Sequence, residues 1–149
     1  MSQSLTKQQL FILMKLVYLG NWIANAFRDK QIKEYEEGED LIFKMAKFYG
    51  FDRFVDHEEK DGNHYYPTSY FEHETDVMEL IEKYDGECFW DELIHRMAER
   101  DFYKIYTKDR IEKMSREKYF EKLGKLEDKY SEEFYKYGLK NLEVEKVKK

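Results

Sequence analysis

Between Leu10 and Phe27 the chain reads LFILMKLVYLGNWIANAF, and at helical spacing its apolar side chains fall on nearly every azimuth. A helix apolar all round is a buried one, inside a bundle or inside a bilayer. Lys15, Asn21 and Asn25 break the run. A spanning helix wants about 20 predominantly apolar residues, so the expectation is the central helix of a soluble bundle with no membrane partner. No basic stretch precedes it and no small-residue cleavage site follows, which argues against a secretory signal. The second half of the helix changes character. Asn21, Asn25 and Arg28 sit at spacings of four and three and share one face. That strip is either a wet face at the bundle end or the wall of a polar pocket with Arg28 as an anion clamp.

The rest of the pattern is also helical. Ser4 or Thr6 can cap the first helix, which is expected to run to about Lys30. Ile32, Tyr35, Ile42, Met45, Ala46 and Tyr49 make the stripe of a second helix that contains Gly38 and ends at Gly50. Residues 51–71 lose the periodicity and form an expected irregular loop, with a possible edge hairpin at Asp61-Gly62-Asn63 and the single proline, Pro67. Val77, Leu80, Ile81 and Tyr84 predict a short third helix closed by Asp85-Gly86. A fourth helix follows from about Glu87 to Tyr106, apolar along Phe89, Trp90, Leu93, Ile94, Met97, Ala98 and Phe102. Ser115 caps a last helix in which Tyr119, Leu123, Leu126, Tyr130, Phe134 and Tyr137 recur at alternating threes and fours. That coiled-coil-like row suits either a bundle helix or a seam between two chains. Residues 1–5 and 139–149 are expected to be weakly ordered. The expected fold is all-α, one domain over residues 1–149, built as a bundle of about five helices around a buried N-terminal helix.

Composition supports this. A chain of 149 residues can bury a core without staples, and one proline with seven glycines leaves little material for sheets. The 13 tyrosines and 11 phenylalanines suit half-buried helix positions, where a ring packs and a hydroxyl stays wet. A lone Cys88 excludes an intrachain disulfide and fits a reducing compartment, so the expected location is cytoplasmic. Net charge −6 disfavours nucleic acid, which needs a basic surface to displace counterions.

Four constellations could carry chemistry. Glu92 and His95 have the spacing of a helical metal-ligand pair, but di-iron bundles need two such pairs and only one exists. His57, His64 and His73 lie among acidic residues in the irregular stretch, in a spacing that matches neither a structural zinc site nor an EF-hand loop. Cys88 lies two helical turns from His95, about 10 Å along the axis and too far for direct contact. Finally, Glu36-x-x-Glu39 and Glu82-x-x-Asp85 resemble the paired acidic motifs of all-α nucleotide pyrophosphohydrolases of the MazG type. That resemblance implies carboxylates on neighbouring helices holding Mg²⁺ against a triphosphate. The interval between the pairs is longer than in that family and Asp85 directly precedes Gly86, so it assigns no family.

Two functions fit these patterns. The first is a small non-catalytic cytoplasmic binding or regulatory protein with no cofactor, acting on a protein partner or on itself as a homodimer. The second is a Mg²⁺-dependent hydrolase of a phosphorylated small molecule, with Glu36, Glu39, Glu82 and Asp85 on the metal and Arg28 on phosphate.

Overall fold

The structure is a computed structural model that describes residues 4–59 and 62–143. Within them the chain forms six helices and one two-stranded antiparallel ribbon. Among the described residues no helix is long and apolar enough to cross a membrane. The fold is thus mainly all-α, and it packs as two compact units, Met1–Lys83 and Tyr84–Lys149.

The first unit begins with helix α1 (Lys7–Asn25). Thr6 is the cap: its hydroxyl accepts the Gln9 N–H, and the Gln9 side chain accepts the Thr6 N–H at 2.9 Å. The helix stops at Asn25 rather than running to Lys30. The reason is local. The Asn25 side chain accepts the N–H of Ile32 at 2.7 Å and pins the connection back onto the helix. Helix α2 (Lys33–Phe48) follows and passes through Gly38 without a break. At its end the Phe51 N–H bonds the Ala46 carbonyl and the Gly50 N–H bonds that of Lys47, with Gly50 at φ +80°. Those are the two bonds of a Schellman ending, which needs a left-handed residue at that place.

The stretch expected to be irregular is more ordered than its pattern suggests. Strands β1 (Val55–Glu58) and β2 (His64–Pro67) pair with His57 opposite Tyr65. Gly62 and Asn63 both have positive φ at the ribbon's turn, as the Asp-Gly-Asn signal anticipates. A short helix α3 (Ser69–Glu74) then carries Phe71 into the middle of the unit. Its ring lies edge-on to Tyr18, Phe43 and Phe54 at 5.6, 5.2 and 5.9 Å between centroids. Around it are Leu10, Met14, Ala46 and Val55, with Val77 and Ile81 from the first turns of helix α4 (Val77–Ile105).

The short third and long fourth helices expected from the sequence are one element. Helix α4 continues through Asp85-Gly86, and every residue from 82 to 89 on it is exposed. A helical glycine costs about 1 kcal/mol relative to alanine. Buried residues on both sides of Gly86, Val77 and Ile81 before it and Ala98 and Phe102 after it, outweigh that.

In the second unit α4 is followed by helix α5 (Lys108–Glu112) and helix α6 (Arg116–Tyr137). The Ser115 hydroxyl accepts the Lys118 N–H, the expected cap. Ala98, Phe102 and Leu123 are its core, with Tyr106, Ile111, Met114, Tyr119, Leu126 and Tyr130 packed on them. Nearer the other end of the pair, Phe134 meets Trp90 and Tyr130 at 5.9 and 5.8 Å. The aromatic row of α6 is therefore occupied by α4 of its own chain. Nor is α1 the centre of a five-helix bundle. Its buried residues, Leu10, Met14, Tyr18 and Asn25, all lie on one side. The expected weakly ordered ends fall in part on residues 1–3 and 144–149, outside the described residues.

Candidate functional site

Tyr18, Asn21 and Asn25 recur at three and four along α1, so they continue the buried face where it turns polar. Asn25 is 7% exposed, and its amide donates to the Asn21 side-chain oxygen at 2.8 Å. Asn21 in turn donates to the Glu39 carboxylate on α2 at 2.9 Å. Beside them the Tyr18 hydroxyl donates to Glu72 on α3 at 2.8 Å. Three helices thus meet through polar contacts, and no buried side-chain polar atom among the described residues lacks a partner.

Burial dominates the electrostatics here. It pushes the Glu39 carboxyl up to about 7 from 4.5, with nearby Glu36 and Glu72 adding repulsion and the Asn21 hydrogen bond opposing. Burial likewise raises the Tyr18 hydroxyl, helped by its bond to Glu72. Glu39 can therefore hold or release a proton near neutral pH.

The residues singled out by sequence are distributed as follows. Asn21 and Asn25 are brought together with Glu39, while Arg28 is not. It is exposed, bonds the Ala24 carbonyl at 2.8 Å and lies over the Phe27 ring. The helix ends at Asn25, so the phase that would align Arg28 is lost. Glu36 joins Lys33, Glu37, Asp40 and His64 around a polar cleft of about 380 Å³. Glu82 and Asp85 lie on the exposed stretch of α4. His57 stacks on Tyr65, 4.3 Å between ring centroids, and the strand register puts His64 on the opposite face of the ribbon, 3.6 Å from Asp40. His73 bonds its own helix at the Ser69 carbonyl. Glu92 pairs with Arg96, and His95 with Glu127 at 2.8 Å. Among the described residues, no three His, Cys, Asp or Glu side chains gather closely enough to hold a metal ion.

Sequence reasoning missed Tyr18 and Glu72. The spacing of Tyr18, Asn21 and Asn25 was the available signal for the first; nothing local marks the second. It also missed what lies on the other side of α1. Ile12, Leu16 and Ile23 are 47, 57 and 56% exposed, and Leu19, half-buried with part of its side chain packed on the core, completes their row. Between Gln8 and Asn25 the helix holds one charge, Lys15, whose ammonium is bonded to Asp76 at 2.9 Å. Isolated exposed apolar residues are ordinary, whereas a contiguous apolar strip marks an interaction surface. No protein family, no curated protein and no solved structure matches this chain.

Proposed function

We propose that the protein acts by protein–protein contact, as a small binding or regulatory protein and not as a catalyst. The observation that supports this reading is the uncharged outer face of α1, with Ile12, Leu16 and Ile23 about half exposed. Leaving such a strip in water is unfavourable by roughly 25 cal/mol per Å², which favours a state in which another surface covers it. The lone thiol, Cys88, is free and exposed, a condition suited to a reducing compartment, and the proposed site of action is the cytoplasm. The test is quantitative affinity capture from cell extract with the full chain against a Leu16→Glu variant. A partner enriched by the first and lost with the second supports the reading. Equal recovery with both variants places recognition elsewhere and removes its basis.

A further inference from the structure

The outer row of α1 has an internal symmetry. Ile12, Leu16, Leu19 and Ile23 follow one another at four, three and four residues, the spacing of alternating d and a positions in a heptad. At about 100° per residue they fall within about 60° of one another, opposite Leu10, Met14 and Tyr18. Read from either end the row is the same: Ile, Leu, Leu, Ile. Its midpoint lies between Val17 and Tyr18. A two-fold axis through that point, perpendicular to the helix, sets Ile12 against Ile23 of a second copy and Leu16 against Leu19. An isologous interface needs such a self-complementary patch, and antiparallel coiled coils pair a with d in this way.

The flanks agree with the row. The same axis relates Lys15 to Gly20, so the one cation beside the row meets the position with no side chain. A Cβ built on Gly20 meets nothing within 4 Å, so that edge is open to an approaching helix. Lys15 itself is drawn away to Asp76. The competing row on α6 is already filled by Ala98, Phe102 and Tyr106 of α4 and the turn after it.

We infer that this face binds a second copy of the chain, α1 against α1 antiparallel, with Ile12 on Ile23 and Leu16 on Leu19. The inference rests on the binding reading above and names its partner. Four seam residues a side are far fewer than the roughly 20–30 of a standard interface, so the dimer is a weak one, with Kd between about 1 µM and 1 mM.

The test is sedimentation equilibrium of the full chain across that concentration range, with helicity followed by circular dichroism. Wild type is expected to dimerise, and Leu16→Glu to raise Kd at least about 100-fold while keeping its helix content, because Leu16 is not in the core. Orientation is read from charge exchange. Ile12→Lys and Ile23→Glu each weaken the dimer, and the double variant restores it. Position 12 of one copy faces position 23 of the other in the antiparallel arrangement alone, so only there do the new ammonium and carboxylate meet. A wild type that stays monomeric overturns the inference, as does a dimer indifferent to Leu16→Glu or a double variant that is no better than the singles. A monomer that captures a different protein through Leu16 overturns the second copy but keeps the binding reading. A monomer that captures nothing overturns both.

Discussion

Helices α1 and α6 carry similar rows of large apolar residues at coiled-coil spacing, and the two put them to different uses. The row of α6 runs from Tyr119 to Phe134 beside a polar opposite face rich in Lys and Glu, and it lies against α4. With one apolar face, one neighbour suffices. Helix α1 has two apolar faces. Leu10, Met14 and Tyr18 enter the core around Phe71, while Ile12, Leu16 and Ile23 are left half exposed. A helix that is apolar all round needs cover all round, and when its own unit supplies one side, the other becomes available for recognition.

The two regions also differ in where they keep their polar groups. In the second unit they rim the aromatic row: His95 on Glu127, Arg100 and Asp101 on the Tyr130 hydroxyl, and Lys122 on that of Tyr106. In the first unit a carboxyl is half-buried, beside Asn21. The rim tolerates ionisation because water remains near. The half-buried acid tolerates it less, and its proton is held to near neutrality.

The contrast can be broken most severely at the aromatic hub. Phe71→Ala removes a fully buried ring that touches three others and is expected to destabilise the first unit by about 3–5 kcal/mol, read as a lower urea midpoint. A loss under about 1 kcal/mol would mean that α3 is not the keystone of that unit.

The half-buried acid gives the next effect. In the unfolded chain Glu39 ionises near 4.5 and in the folded chain at about 7, so between those values the folded state binds more protons. Its contribution is greatest below about 4.5, declines as pH rises, and is lost above about 7. A displacement of that size corresponds to about 3 kcal/mol in full, reduced to about 1–2 kcal/mol by the partial exposure of the group. Glu39→Gln, which keeps an oxygen for Asn21, is expected to flatten that decline and to exceed wild type in stability at about pH 8. Denaturant titrations at several pH values check it; parallel curves for the two proteins would show that the acid is not held neutral.

On the rim the effects are smaller. Tyr130→Phe leaves the ring on Phe134 and removes a hydroxyl shared by Asp101 and Arg100, a change expected to cost about 1 kcal/mol at neutral pH by chemical denaturation. Smallest of all is the response to Mg²⁺ with a nucleoside triphosphate, for which a shift in Tm below about 1 °C is expected. Saturating binding at 100 times Kd would instead give about 2.7 kcal/mol, or roughly 5–10 °C, and would return attention to Glu36 and Glu39 as metal ligands.

The signals that proved legible in the sequence are those read over a few residues. Thr6 and Ser115 cap because a hydroxyl reaches an N–H three residues on, Gly50 ends α2 because only the left-handed region fits there, and Gly62 and Asn63 turn the ribbon. Of the polar strip, Asn21 and Asn25 could be paired from spacing alone, but Arg28 could not be excluded, since Asn25 ends the helix through a bond to Ile32. Phe71 sits in the stretch with no periodicity, and its importance comes from rings on α1, α2 and the segment before β1. The continuity of α4 was hidden for a similar reason: Asp85-Gly86 is a sound local stop that packing on either side overrides.

By itself, then, the sequence determined that the chain is predominantly helical, where α1 begins, and the bounds of α2 and α6 to within a residue or two, while α3 and α5 went unread and α4 was divided at Gly86. Those outcomes follow from bonds between residues three to five apart. The tertiary structure decided which face of α1 is covered, that Glu39 is a half-buried acid beside Asn21, and that the row on α6 is filled by α4. Such matters depend on which distant side chains arrive to exclude water, and helical spacing places a residue on a face without stating what lies opposite it.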